Sequence, residues 1–219
     1  REGEENQTQE TYGKRTQQFE SHIKDINKRW KIRDENNRMH RQVEKILQMA
    51  RFERGDIELK HEAIAVHDLL KAVAESFVLQ VDQYGGTLEC ALAADRQVVR
   101  GDRVHLESIF SNLVDNAVKY SPGIPLVKIG SEVVAGYLVV KVTDQGQGIG
   151  RENQRRVFEK YYRCPTGNRH DVKGYGLGLS FVRSLVVAHN GFVELHSLPG
   201  RGTTVTVSLP LLPEPGEGE

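Results

Sequence analysis

The feature that most constrains this chain is where its helix-breaking residues fall. All seven prolines lie at or beyond Pro122, and only Gly3, Gly13 and Gly55 occur in the first eighty residues. A charged stretch lacking both residue types leaves the helical hydrogen-bond ladder unbroken, so it reads as long helix. Residues 1–13 are polar and poor in apolar side chains, and read as disordered. From 14 to 54 the pattern is helical. Ile32, Met39, Val43, Ile46 and Ala50 recur at three- and four-residue steps, the seam of a coiled coil or helical bundle. Phe19, Ile23, Ile26 and Trp30 form a second seam, one residue out of phase with the first. The slip predicts a kink, a stutter or a join near residues 30–32. An amphipathic helix cannot bury its stripe alone. It packs on its own domain or pairs with another chain, and its length and charged flanks favour pairing.

After Gly55 the composition becomes mixed α/β. The patterns predict strands at Ile57–Lys60, Thr87–Leu92, Leu126–Val134, Tyr137–Thr143, Phe192–His196 and Thr203–Leu209, with helices at Val66–Tyr84, Asp102–Tyr120 and Leu177–His189. Helices interleaved with mostly antiparallel strands predict an α/β class fold: a long N-terminal helix followed by a two-layer α/β sandwich over 55–210, with a flexible tail at 211–219.

Composition narrows the function classes. The 30 basic side chains balance 30 acidic ones, so no global charge favours nucleic acid or an anionic membrane. No stretch approaches the roughly 20 apolar residues of a membrane span. Cys90 and Cys164 form neither a disulfide framework nor a zinc cluster. The expectation is a reduced, soluble, cytoplasmic protein.

Four local patterns could carry chemistry. In SNLVDNAVKYSP (111–122), helical spacing puts Asn112, Asn116, Lys119 and Tyr120 on one face. Neutral oxygen ligands, a cation and a flat aromatic suit a ligand better than a core, although a solvated face would look the same. DQGQGIG (144–150) follows a strand. Its Asp144 could accept a hydrogen bond from an exocyclic amine, and its glycines could admit close backbone approach; an ordinary glycine loop is the alternative. FEKYYR (158–163) leads into the polar stretch 164–173, either a mobile cover over a site or a surface loop. GYGLGLS (174–180) opens a helix, whose free N–H groups and dipole suit phosphate. No P-loop, dinucleotide fingerprint or EF-hand loop is present.

In this order the patterns resemble the N, G1, F and G2 boxes of the sensor histidine kinases of the GHKL superfamily, and SLPGRGTTVTVSLP (197–210) resembles their closing G3 segment. MHRQVEKILQMARFERGD (39–56) resembles the exit of the second dimerisation helix, so 31–54 is similar to that helix while 1–30 is atypical, foreign or replaced. The resemblance implies a GHKL sandwich binding ATP and Mg²⁺ and transferring the γ-phosphate to a protein histidine. It implies that Asn116 holds the metal and that Asn112 lies in the phosphate region. Lys119 and Arg163 would act on phosphate charge, and Tyr120 would pack on adenine. Asp144 would take the adenine amine, supported by Gly146, Gly148 and Ile149. Tyr162 would belong to the cover, and Gly174, Gly176, Leu177, Gly178 and Leu179 to the lid and phosphate cradle. Thr204 is placed near the adenine. A response regulator and a homodimer through the N-terminal helix are the implied partners, with a cytoplasmic placement, including as the cytoplasmic portion of an inner-membrane sensor.

One family element is missing. The phosphoacceptor H box, His-Asp/Glu-x-Lys/Arg-Thr-Pro, is not found. His22 in ESHIKDIN lacks the acid, the Thr and the Pro, and about twenty residues cannot fit a descending helix, a turn and a return. Self-phosphorylation is therefore not expected. A nucleotide-binding scaffold and another GHKL ATPase are the competing readings. Asn112 stands where such ATPases carry a general-base glutamate.

Overall fold

The computed structural model describes residues 59–164 and 176–213, together with helical positions between residues 22 and 51. The chain divides into two units, 1–48 and 49–219. In the first, every described position is helical, on both sides of residue 31. Ile26, Trp30, Ile32, Met39, Val43 and Ile46 are all exposed. Arg33 places its guanidinium 5.8 Å from the Trp30 ring, and His40 Nε2 lies 3.5 Å from Glu44 Oε1 one turn on. The disorder expected for 1–13, the start of the strand expected at 57 and the polar cover at 165–173 lie outside the described residues.

The second unit runs β1 (Glu62–Ala65), α1 (Val66–Asp82), β2 (Thr87–Leu92), β3 (Val98–Gly101), α2 (Arg103–Lys119), β4 (Leu126–Val134), β5 (Tyr137–Asp144), α3 (Arg151–Gln154), a 3₁₀ turn (Arg156–Phe158), α4 (Gly178–Ala188), β6 (Phe192–Leu198) and β7 (Gly202–Pro210). One sheet has the order β2-β4-β5-β7-β6, and β1 pairs with β3 in a separate two-stranded sheet. Alternate residues set the two faces of the large sheet. Val127, Ile129, Leu138, Val140, Val142, Val205, Val207 and Leu209 are buried in the core that α1, α2 and α4 share. The opposite face carries ion pairs, Lys128–Glu89 at 3.6 Å and Lys141–Glu132 at 2.5 Å. This is the predicted two-layer α/β sandwich.

The sequence reading differs from the structure at its shortest elements. The first strand is Glu62–Ala65; Glu62 is exposed and Ile64 buried against β3, a partner strand that four residues of alternation do not reveal. α3 and the 3₁₀ turn, four and three residues long, are too short to show a helical period. β2 pairs parallel to β4, an exception to an otherwise antiparallel sheet. Leu211 and Leu212, assigned to the tail, extend the fold. The Leu211 N–H donates to Gly136 O at 3.0 Å and the Leu212 N–H to Val98 O at 2.8 Å.

α2 and α4 run antiparallel, and a polar lock closes one end. Asp102 caps α2, its Oδ1 accepting from the Val104 and His105 N–H groups at 3.0 and 3.2 Å. Its own N–H donates to His189 Nε2 at 3.0 Å, while His189 Nδ1 donates to Leu185 O at 2.7 Å. The buried ring is thereby fixed as the neutral tautomer, since a proton on Nε2 would face the Asp102 N–H. Burial pushes the His189 pKa below 6.5, reinforced by His105 and His61 and opposed by the Leu185 carbonyl and Asp102. His67, which shares a 2.8 Å hydrogen bond with Ser131 Oγ, is lowered by burial as well.

A lowered histidine pKa means that the unfolded chain binds more protons below pH 6.5, so stability is lost as pH falls from there toward the folded value. The melting temperature is expected to drop between pH 7 and pH 5 in thermal scans. The drop should be shallower in His189→Gln, which keeps a donor and an acceptor without titrating. An equal drop in both proteins contradicts the lock.

Candidate functional site

At the other end of the α2–α4 pair, polar groups gather. Asn112 is buried, and its Nδ2 donates to Ser108 O at 2.6 Å, which turns its oxygen outward from its own helix. Gly178 opens α4 opposite it. A methyl group there would sit 3.5 and 3.7 Å from Asn116 Nδ2 and Oδ1 and 3.9 Å from Asn112 Oδ1. The missing side chain thus leaves a gap between two carboxamides and the N-terminus of an eleven-residue helix, where backbone N–H groups are free of intrahelical partners. Lys119 Nζ forms an ion pair with Asp115 one turn earlier on the same face. Sequence reasoning passed over Asp115, although it shares the i, i+4 spacing with Lys119 that made the rest of the face stand out.

Tyr120 caps α2 and joins this end to the loop after β5. The Gln147 N–H donates to Tyr120 O at 3.1 Å. A side chain at position 146 would collide with that same carbonyl, so only glycine lets the loop close on the helix. Burial pushes the Tyr120 hydroxyl pKa up, against the opposing charge of Arg163, which places the Arg163 guanidinium in the electrostatic reach of this end of α2.

Asp144 ends β5 with its side chain on the core face of the sheet and is buried. Its Oδ1 accepts from the Gly146 N–H at 2.8 Å and the Thr203 N–H at 3.2 Å, whereas Oδ2 takes no hydrogen bond from the described residues. Burial pushes the Asp144 pKa up and the two N–H groups only partly oppose it. Oδ2 is thus an acceptor with open lone pairs on a mostly buried carboxyl, able to meet a donor.

Thr204 is not beside this acceptor. Its Oγ1 lies 3.1 Å from Thr143 Oγ1, on the outer face of the sheet. Thr203 is the threonine on the Asp144 side. The signal was available, because Val205, Val207 and Leu209 are the apolar face of β7 and period two assigns 203, not 204, to it.

The remaining candidates are placed as follows. Gly148 has φ +69° and rests on the Leu198 carbonyl, and the half-buried Ile149 donates its N–H to Ser197 Oγ at 2.8 Å. Tyr162 is anchored on the α3 segment, its hydroxyl donating to Asn153 Oδ1 at 2.6 Å and its ring under the Arg156 guanidinium at 4.2 Å. The Tyr161 N–H donates to Gly176 O at 3.0 Å, which ties the F box to the start of GLGLS. Leu177 is buried and Leu179 packs against the core. Gly174 lies outside the described residues.

Known proteins match this arrangement. The family described as "Histidine kinase-, DNA gyrase B-, and HSP90-like ATPase" matches residues 101–213, more than half of the chain. The chain is 39% identical over 202 residues to the sensor protein RprX of Bacteroides fragilis, covering 91% of this chain and 38% of that one. It is 30% identical over 180 residues to the sensor histidine kinase WalK of Bacillus subtilis, covering 81% and 29%. Among solved structures it resembles full-length ShkA in complex with AMPPNP, with TM-score 0.70, 25% identity and coverage of 78% and 35%. It also resembles the Acinetobacter baumannii histidine kinase AdeS, with TM-score 0.63, 26% identity and coverage of 78% and 77%. The chain belongs to the histidine kinase-, DNA gyrase B- and HSP90-like ATPase family, and carries the GHKL domain of the sensor-kinase type. It spans less than two fifths of the length of the curated relatives named here.

Because its raised pKa makes the ionised Asp144 unfavourable in the fold at neutral pH, Asp144→Asn is expected to hold or raise the melting temperature at pH 7. The amide nitrogen would then offer a donor where an amine needs an acceptor. Calorimetric titration with ATP should show affinity falling by at least about tenfold, or ~1.4 kcal/mol. Unchanged affinity contradicts the acceptor role.

Proposed function

We propose that this chain is the ATP-binding catalytic core of a two-component sensor histidine kinase, which moves the γ-phosphoryl group of ATP to a histidine of a partner protein segment. One observation carries the reading. Helix α2 brings Gly178 to Asn112 and Asn116 on one side and Gly146 to Tyr120 on the other, so an acid-and-glycine loop and a helix N-terminus flank one helix end. The spacing of functions along α2 suits a purine at Asp144 and phosphates at α4.

The residues fit Mg·ATP. Mg²⁺ takes hard oxygen ligands and keeps several waters, so the single Asn116 carboxamide oxygen, with Asn112 beside it, is an adequate protein share. When bound, the metal neutralises charge on the phosphate oxygens. The chain does the rest. Asp144 orients the purine, Tyr120 offers an aromatic face, and the N–H groups opening α4 receive phosphate oxygens. Lys119, now paired with Asp115, exchanges that partner for phosphate. Arg163 supports the negative charge that grows on the bridging oxygen as the phosphorus–oxygen bond breaks and the phosphorus–nitrogen bond to imidazole forms.

Asn112 favours transfer over hydrolysis. A carboxamide bonded to Ser108 O is not a general base for water. The acceptor histidine comes from elsewhere, since ESHIKDIN lacks the flanking acid, Thr and Pro. In this reading 14–54 is a dimerisation helix, 55–210 is the catalytic domain and residues 1–30 replace the family's first helix. The exposed stripe Ile32, Met39, Val43 and Ile46 is the face for a second copy, and a response regulator receives the phosphoryl group downstream. Cytoplasmic placement follows from that chemistry, and among the described residues no helix is long and apolar enough to cross a membrane.

The test is transfer from γ-labelled ATP with Mg²⁺ to a supplied helical hairpin carrying an H box. Labelled phosphohistidine is expected on the hairpin, and Asn116→Ala should slow its formation by about a hundredfold. Binding without transfer would favour a nucleotide scaffold, and stoichiometric phosphohistidine on His22 would overturn the missing-acceptor assignment.

A further inference from the structure

The loop from Gln145 to Gly150 has no strand partner and no helix of its own, yet it carries the groups that would define the purine end of the site. Besides the backbone bonds of Gln147 to Tyr120 and Gly200, two side chains from outside the loop hold it. Ser197, buried near the end of β6, donates its hydroxyl proton to Gly202 O at 2.8 Å. With that proton used, its oxygen accepts from the Ile149 N–H at 2.8 Å and from Thr203 Oγ1 at 2.9 Å. Gln154 on α3 closes the other side, its Nε2 donating to Ile149 O at 2.9 Å and to Ser197 O at 2.7 Å. Both backbone groups of Ile149 are therefore held by one hydroxyl and one amide. The Gly200 N–H adds a bond to Gln147 O at 2.7 Å, and the Thr203 N–H reaches Asp144 Oδ1 at 3.2 Å. A single chain of hydrogen bonds links Gln154, Ile149, Ser197, Thr203 and Asp144.

We propose that Ser197 and Gln154 are positioning residues for nucleotide recognition: they clamp the loop 145–150 against the β6–β7 turn so that the open oxygen of Asp144 stands ready for the purine. This rests on the reading of the site given above. Neither residue touches the ligand in this account. They act by keeping the loop in its binding-competent arrangement before the nucleotide arrives.

The core of α1, α2, α4 and the sheet is apolar and does not pass through Ser197 or Gln154. Losing the clamp leaves Ile149 with an unmade hydrogen bond in a half-buried loop, a local defect that opens at lower free energy than the whole domain. Apparent affinity scales with the competent fraction, so a loop competent about one tenth of the time raises the apparent Kd about tenfold. Once the ligand is bound its own contacts hold the loop, and the transfer step on the phosphate side of α2 proceeds unaltered.

The experiment measures ATP and adenosine binding by titration calorimetry, melting temperature, and transfer kinetics to a supplied H-box hairpin, all on the full chain. The proteins compared are the wild type, Ser197→Ala, Gln154→Met and the double variant. Each single variant should raise Kd for ATP and for adenosine by the same factor, about tenfold, with KM rising and kcat unchanged. The double variant should lose less than the product of the two, because both pin one loop. Gln154 is partly exposed on a short helix, so its variant keeps the test decisive if Ser197→Ala folds poorly. A lowered melting temperature with unchanged Kd for both ligands overturns the clamp, as does a fall in kcat at unchanged KM. A wild-type chain that binds no adenine nucleotide overturns the site reading itself and the clamp with it; a wild type that binds beside unaltered variants overturns the clamp alone.

Discussion

The contact between α2 and α4 is the constraint on which the rest of this domain depends. Leu106, Ile109, Phe110, Leu113 and Val114 on one helix are buried with Phe181, Val182, Leu185 and Val186 on the other. Each large side chain so buried contributes about 1.5–3 kcal/mol, and replacing one with alanine would cost about 2–5 kcal/mol. Because the helices are antiparallel, one apolar seam fixes two polar ends at once. At one end Asp102 and His189 lock the helix start to the helix finish. At the other, the seam delivers Gly178 to Asn112 and Asn116. The site is thus a by-product of core packing, assembled by hydrophobic burial and then lined with groups that burial alone would disfavour.

Asp144 shows that tension most clearly. A carboxylate raised in pKa by burial is a liability to the ligand-free fold, tolerated because two backbone N–H groups satisfy one of its oxygens. Gly148 adds local backbone strain relief in the same loop, since its positive φ would be disfavoured for any other residue. Asp115 pairs with Lys119 at the other end of the candidate site. Asp144 thus holds charge at a cost to the fold, whereas the Lys119–Asp115 pair is an ordinary i, i+4 helix contact.

Much of this was legible in the sequence because the informative signals are local. Helical spacing identified the Asn112, Asn116, Lys119 face, and the element limits of β2 and β4 follow from alternation and turn residues. The two-layer class followed from element order. What escaped was non-local or too short to show a period. β3 is four residues long, and its role is visible only beside β1 and Leu211. The parallel pairing of β2 with β4 depends on a crossover through β3 and α2 that no window contains. Ser197 and Gln154 are 43 residues apart in sequence and meet at a loop that neither flanks closely on both sides. Thr204 lies on the outer face, and the alternation of β7 assigns its neighbour Thr203 to the inner one.

The most direct measurement is a nuclear magnetic resonance titration of the full chain, first with adenosine and then with Mg·ATP. Adenosine alone should shift the amides of Gly146, Gly148, Ile149 and Thr203. Mg·ATP should add Asn112, Asn116, Gly178 and Leu179 while keeping the first set. Shifts that fall on only one of these groups with Mg·ATP, or on neither, would contradict the account that α2 joins them into one nucleotide site.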